Sequence, residues 1–346
     1  MHPSPTETPL LLDVTGLKKH FPIKKGVLRR VVGHVRAVDG MDFYLRDGET
    51  LGVVGESGCG KTTAGRCVIG LLEPTDGQVR FRMNGEMRDT TVLPFRERKQ
   101  FSRHVQMIFQ DPFSSLSPRM NVRAIVTEPL KVHRIGTPQE RTERAADVLA
   151  TVKLDRRVME RYPNEFSGGQ RQRIAVARSL VFNPELIICD EAVSALDVSV
   201  QAQVINLLID LRAELDLTYL FIAHDLSVVE HISHRVLVMY LGKAVETAGK
   251  RDIFQTPKHP YTAALLSAIP AADPQRERSR IHLEGSVPDP SQPPPGCSFH
   301  PRCEYAETRC REIEPMLEPV DGESDRWVAC HRAAELTLEG YSRERR

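Results

Sequence analysis

The chain has 346 residues, which at about 150 residues per domain corresponds to roughly two domains, long enough to bury a core without disulfides or metals throughout. Lys plus Arg number 47 and Asp plus Glu 46, so the net charge of +1 lacks the basic excess that drives nucleic-acid binding, and no nucleic-acid partner is expected. Hydrophobic residues at 40% and charged residues at 27% indicate a globular protein, and no apolar run reaches the roughly 18 residues of a membrane span.

The amino-terminal MHPSPTETPLLL lacks the basic start and apolar stretch of an export signal, so the chain is read as cytoplasmic. From about residue 11 to 265 strands alternate with helices, the pattern of an α/β layered core. Leu17 to Arg36 holds seven basic residues, Lys18, Lys19, Lys24, Lys25, Arg29, Arg30 and Arg36. It reads as a solvated hairpin or loop, with contact to anionic lipid or to a partner protein at the membrane as the alternative. Leu51 to Val54, Leu186 to Cys189 and Leu220 to Ala223 are short unbroken apolar runs, as expected of strands covered on both faces in a parallel sheet.

Gly55-Glu56-Ser57-Gly58-Cys59-Gly60-Lys61-Thr62 follows the first run and opens a helical pattern of Ala64, Cys67, Val68, Leu71 and Leu72. It fits G-x-x-x-x-G-K-[ST] in the strand, loop and helix context that the motif requires. Glycines let successive N–H groups face phosphate oxygens, Lys61 reaches the β and γ phosphates, and Thr62 offers its hydroxyl to Mg2+. Gln78 to Met83 then alternates Val79, Phe81 and Met83 with Arg80 and Arg82, which suits a half-buried antiparallel strand. From about residue 111 to 180 the strand signal fades into Arg- and Glu-rich stretches such as Pro138 to Val152, read as an inserted helical subdomain.

Phe166-Ser167-Gly168-Gly169-Gln170 supplies a good N-cap and two exposed N–H groups at a helix start, an anion site. Ser-Gly-Gly alone is a commonplace loop, and its value depends on company. Leu186 to Cys189 ends in Asp190 and Glu191, which can sit near a metal and near an attacking water respectively. An acidic strand end is ordinarily loop solvation; a phosphate loop in the same chain reverses those odds. Val200, Val204, Leu207, Leu208 and Leu211 recur at helical spacing beyond it.

After about Pro257 the character changes. Ser286 to Pro301 holds Pro288, Pro290, Pro293, Pro294, Pro295 and Pro301, a stiff irregular segment. Four of the seven cysteines, Cys297, Cys303, Cys310 and Cys330, crowd into the last fifty residues, which in a reducing compartment suggests metal or redox chemistry more than disulfides.

The order of phosphate loop, Gln110 after Val105 to Phe109, S-G-G-Q, D-E, Ser194-Ala195-Leu196-Asp197 and His224 after a strand resembles the nucleotide-binding subunits of ABC transporters. The resemblance implies an α/β fold: a P-loop NTPase ABC ATPase core with an antiparallel β subdomain, an inserted helical subdomain and a small irregular C-terminal extension over 266–346. It implies two subunits packed head to tail, with ATP and Mg2+ between the phosphate loop of one (Gly55 to Thr62, with Thr63) and Ser167 to Gln170 of the other. Gln110 resembles the glutamine that senses Mg2+ and the γ-phosphate, Glu191 the general base, and His224 the switch histidine; Asp190 and Thr62 complete the Mg2+ set. Asp197 falls in the loop that communicates across the dimer. Phe21 resembles the aromatic that stacks on adenine, or is a core or surface Phe. Phe166 replaces the usual leading Leu and Ala192-Val193 the frequent Pro-Thr after D-E; neither removes a catalytic group, so hydrolysis competence is expected.

Four stretches narrow the resemblance to the oligopeptide and dipeptide importers, with this chain similar to the dipeptide "F"-type ATPase. They are Ala37-Val38-Asp39 with Gly52 to Gly60, Gln110 to Arg119, Tyr162 to Phe166, and His259-Pro260-Tyr261-Thr262 to Ile269-Pro270. The subfamily implies two transmembrane permease subunits, an extracytoplasmic solute-binding protein, a homo- or heterodimeric ATPase pair, and a peripheral position on the cytoplasmic face of the membrane. Related systems carry nickel, glutathione, opines or oligosaccharides, and the ATPase does not touch the cargo. A soluble ABC-type ATPase acting on nucleic acid or the ribosome is the alternative, disfavoured by the lack of a coiled-coil insertion or a second cassette.

The cysteines are separated by five, six and nineteen residues, wider than the paired thiolates of structural zinc sites. Four thiolates also bind a 4Fe-4S cluster, as members resembling this sequence do, and unmetallated thiols are the third reading. A cluster here would be a folding staple for a tail with little apolar content.

Overall fold

The computed structural model describes residues 9–27, 29–111, 115–269, 281–320 and 325–341. Its strands are β1 (Leu10–Lys25), β2 (Arg30–Arg46), β3 (Thr50–Val54), β4 (Asp76–Met83), β5 (Glu86–Asp89), β6 (Val105–Ile108), β7 (Leu186–Asp190), β8 (Thr218–Ile222), β9 (Arg235–Tyr240), β10 (Lys243–Gly249), β11 (Glu318–Pro319) and β12 (Trp327–Val328). They form a four-stranded antiparallel sheet, β2-β1-β4-β5, and an eight-stranded sheet, β11-β12-β10-β9-β3-β8-β7-β6.

The unbroken apolar runs are central strands of the larger sheet, and alternation decides which core each side chain enters. Leu186, Ile188, Leu220 and Ile222 face a core shared with the antiparallel sheet. Ile187, Cys189, Tyr219 and Phe221 face a second core shared with the helices. Burial on both faces is why no polar residue interrupts these strands. In β4, Val79, Phe81 and Met83 are buried while Arg80 and Arg82 are only partly so, the alternation expected of a one-sided strand.

The basic stretch forms the β1–β2 hairpin. Lys18 pairs with Asp76 at 3.0 Å, Arg36 with Asp39 at 3.5 Å, and Lys19 donates to the Glu73 carbonyl. The helix after the phosphate loop, Lys61–Val68, is shorter than the periodicity predicts. Gly70 at φ +76° turns the chain, so Leu71 is exposed and only Leu72 returns to the core.

Between β6 and β7 lie the helices Val122–Val132, Pro138–Thr151 and Gly168–Leu180, packed through Ile125, Val126, Leu149, Val152 and Ile174. Thr137 and Glu140 form a reciprocal capping box that spans Pro138, which fixes the start of the second of these helices. Residues 112–114 of the importer-like stretch, and Pro270, lie outside the described residues.

The extension is not a detached module. Of the segment 286–301, residues 286–299 hold neither helix nor strand, as the prolines predict, but His300 and Pro301 open the short 3-10 turn His300–Arg302; β12 adds antiparallel to β10 through Glu246–Val328 and Thr247–Trp327. Arg326 and Glu246 pair at 3.1 Å with side chains 2% and 0% exposed, and Glu246 also accepts the Lys258 and His259 amides. A fully buried carboxylate with three donors anchors the tail into the cassette.

Candidate nucleotide site

Strand register brings the predicted residues together. Val53 of β3 and Asp190 of β7 both pair with Ile222 of β8, and Ile108 of β6 pairs with Cys189. The parallel strands therefore end side by side, with Gly55, Glu191, His224 and Gln110 each in the loop that follows, where open α/β sheets bind ligands.

The phosphate loop is shaped by backbone crowding. A Cβ on Gly60, at φ +104°, would lie 1.9 Å from the Ala37 carbonyl oxygen, and one on Gly55 would lie 2.1 Å from that of Met239. Only glycine fits either position. Lys61 is buried and donates to the carbonyls of Gly55 at 2.7 Å and Glu56 at 3.0 Å, which holds its ammonium inside the loop. Cys59 is buried under that ammonium, its Sγ 3.8 Å from Nζ, while Ser57 and Gly58 are exposed and Thr63 is partly buried in the first helical turn. Thr62 donates its hydroxyl to Asp190 Oδ1 at 2.7 Å. A hydroxyl beside a carboxylate is the hard-oxygen set suited to Mg2+. Asp190 is 1% exposed, and burial pushes its carboxyl above the ordinary range against the opposing hydrogen bond from Thr62.

Gln110 Nε2 donates to Glu191 Oε2 at 2.8 Å, and His224 Nδ1 lies 3.3 Å from the same oxygen. Glu191 occupies the left-handed region at φ +48°, unusual for a residue with a Cβ. Its amide donates to the Ile222 carbonyl, and its carbonyl accepts from the Ser194 amide and hydroxyl, so Ala192-Val193 leaves the clamp intact.

Ser167 caps the helix Gly168–Leu180 with a reciprocal box to Gln170, and a Cβ on Gly169 would meet Val200 at 2.3 Å. Asp197 caps the helix Val198–Leu215 through the Val200 amide, which also holds its carboxyl below the usual range. Phe21 lies on β1, 37% exposed, with the Lys19 ammonium 5.3 Å from its ring centroid.

Three residues at the loop lay outside the sequence assignment. Tyr261, within the importer-like stretch from His259, accepts the Glu56 amide at 2.9 Å. Arg302 grips the Glu56 carboxylate at 2.8 and 3.0 Å, and the Tyr240 hydroxyl flanks it at 3.5 Å. No signal but adjacency to Cys303 marked Arg302.

Cys297, Cys303, Cys310 and Cys330 line one cavity of about 20 Å3 with Phe299 and His300. Burial pushes the Cys303 thiol up to about 11 and the Cys330 thiol to about 12, the neighbouring thiols adding to it. A ready-formed metal site is not present: among the described residues no group of three or more His, Cys, Asp or Glu is placed to hold a metal ion.

The phosphate loop, the Thr62–Asp190 pair, the Glu191 carboxylate shared by Gln110 and His224, and the sheet order together define a P-loop ATPase of the ABC type. A family model of the ABC transporter matches residues 38–194, and one of the oligopeptide/dipeptide transporter C-terminal region matches 245–310. The oligopeptide transport ATP-binding protein AppF of Bacillus subtilis is 52% identical over 93% of this chain and 97% of its own length. The dipeptide transport ATP-binding protein DppF of Haemophilus influenzae is 47% identical over 92% and 96%. A solved dimer of the ATP-binding cassette MJ0796 with ADP and Pi superposes at a TM-score of 0.60, 27% identical, over 70% of this chain and 99% of that one. The chain belongs to the ATP-binding subunits of oligopeptide and dipeptide ABC transporters.

Proposed function

We propose that this chain is the motor subunit of a peptide importer, in which ATP binding and hydrolysis in a head-to-tail dimer drive transport. The observation that carries the reading is the meeting of Gln110 and His224 on one oxygen of Glu191, next to the linked Thr62 and Asp190, in a chain about half identical to peptide-transport relatives over nearly its whole length. In this reading Lys61 exchanges its loop carbonyls for the β and γ phosphates, and Gly55 to Thr63 wrap them. Glu191 orients and accepts a proton from the attacking water, Gln110 and His224 fix its carboxylate, and Phe21 stacks on adenine. Thr62 and Asp190, with Gln110, would hold Mg2+, which supplies charge neutralisation at the transferring phosphoryl group. Ser167 to Gln170 and Asp197 serve the site of the partner subunit.

Two permease subunits and an extracytoplasmic binding protein complete the proposed transporter, with this chain peripheral on the cytoplasmic face. No helix among the described residues is long and apolar enough to cross a membrane. A cleft of about 620 Å3 bordered by Leu71, Phe109, Gln110, Pro129 and Arg178 lies between the parallel core and the helices of residues 111–180, and is the proposed seat of a permease element. Glu191→Gln in the assembled transporter should reduce ATP turnover by about 100-fold or more while MgATP still binds. Turnover near the wild-type rate would remove Glu191 from its role.

A second reading concerns the C-terminal thiols. Four cysteines lining one cavity, Cys310 buried and the others partly so, fit the donor chemistry of a 4Fe-4S cluster, since a cationic iron body would relieve the cost of their thiolates. Their present cavity holds little more than one water, so loading requires the side chains to open. Iron and sulfide analysis with visible absorption of anaerobically purified protein tests it; colourless, iron-free protein overturns it.

A further inference from the structure

A carboxylate in a phosphate loop is an electrostatic liability. Glu56 is the second residue of the loop, and its backbone carbonyl already binds the Lys61 ammonium meant for phosphate. Left free, the Glu56 carboxylate would add a negative charge beside a site built to attract one, and could turn toward Lys61 in competition with ATP. In the structure it does neither, because Arg302 takes both its oxygens in a two-pronged pair with Oε2 at 2.8 Å and Oε1 at 3.0 Å. The Arg302 side chain is 7% exposed against 25% for Glu56, so the pair is shielded on the arginine side. Bidentate guanidinium–carboxylate geometry fixes direction as well as charge.

The mounting of Arg302 is rigid. It ends the short turn His300–Arg302, directly before Cys303. Phe299 before that turn is 2% exposed and packs edge-on against Tyr240 at 5.3 Å, and also against Tyr261 at 5.4 Å. Tyr261 in turn accepts the Glu56 amide. Backbone and side chain of one loop residue are thus held by Tyr261 and Arg302, both beyond β9.

We propose that Arg302 is a positioning residue for ATP binding: it neutralises the Glu56 carboxylate and draws it away from the phosphate site, so that the C-terminal extension sets the affinity of the phosphate loop. The inference rests on reading Gly55 to Thr62 as the ATP phosphate loop. It differs from a purely structural role in one respect, that the harm done by losing Arg302 comes from the stranded charge of Glu56 and disappears when that charge is removed.

The test is equilibrium MgATP binding to the full-length chain. Arg302→Ala should weaken binding about five- to tenfold, the size of one partly screened charge at short range. Made in a Glu56→Gln background, and measured against that background, Arg302→Ala should cost no more than about twofold. Arg302→Gln carries the same comparison if the alanine variant does not fold. Wild-type affinity in the folded Arg302 variant, or an equal loss from Arg302→Ala with and without Glu56→Gln, overturns the proposal. Lys61→Ala separates the two layers of inference: if it binds ATP normally, the reading of the loop itself has failed, whatever Arg302 does.

Discussion

Two regions hold the phosphate loop, and they hold it by different physics. On the side of the parallel strands, position comes from backbone: strand register places Gly55, Glu191 and His224 at neighbouring strand ends, and carbonyl oxygens of Ala37 and Met239 leave no room for a side chain at Gly60 and Gly55. On the side of the C-terminal extension, position comes from side chains alone, through Tyr261, Arg302 and the aromatic contacts of Phe299. A backbone constraint is all-or-none, whereas a side-chain constraint is graded and can be undone by a second substitution.

The sharpest way to break that contrast is Gly60→Ala. Its methyl carbon would sit 1.9 Å from a main-chain oxygen on β2, in a conformation that alanine also resists, and no flexible atom can yield. ATP affinity should fall by at least about 100-fold, with no rescue from Glu56→Gln. Calorimetric titration measures this; a Gly60→Ala protein that binds ATP within tenfold of wild type would show that the loop is not held by its backbone.

On the other side, pH sharpens the comparison. His259 caps the helix Pro260–Ser267 with Nδ1 on the Tyr261 amide and is 1% exposed, and burial lowers its pKa to about 3 from the ordinary 6.5. Below pH 6.5 the unfolded chain therefore binds a proton that the folded chain refuses, so stability is complete above 6.5 and declines as pH falls toward 3. The slope is about 1.4 kcal/mol per pH unit. His259→Asn keeps a capping acceptor without the titration. Urea unfolding at pH 7 and pH 5 should show wild type losing about 2 kcal/mol more than the variant. Equal losses would place the acid sensitivity elsewhere.

The contrast also explains how much could be read from residues in order. Strands of the large sheet were legible because burial on both faces forbids polar interruption, and Gly55 to Thr62, Asp190 and Glu191 were legible because each is a contiguous run at a strand end. Gln110 and His224 needed the order of the whole set. Arg302, Tyr240 and Tyr261 act through contacts up to 246 residues apart, and an arginine beside a cysteine has no local pattern that reports such a partner. The helix after the loop was read too long because Leu71 and Leu72 keep the 3.6-residue period, while Gly70 between them and the helix reverses the chain. The addition of β12 to the sheet edge was hidden for a related reason: a two-residue strand has no period to detect.

Ser167 belongs to neither region, and it is the place where cap and chemistry can be pulled apart. Within one chain it caps Gly168–Leu180, accepting the Gln170 amide while Gln170 accepts its own, a box whose loss to Ser167→Ala costs about 1 kcal/mol. Asn caps as well as Ser does, so Ser167→Asn should restore the stability that alanine removes. If capping were the whole of its work, ATP turnover in the assembled transporter would return along with stability. A hydroxyl that completes the partner subunit's nucleotide pocket predicts a split outcome, with thermal stability recovered in Ser167→Asn and turnover still depressed about tenfold, because the longer amide occupies space meant for phosphate oxygens. Recovery of both would reduce Ser167 to a helix cap and leave the dimeric pocket to Gly168, Gly169 and the helix N-terminus they open.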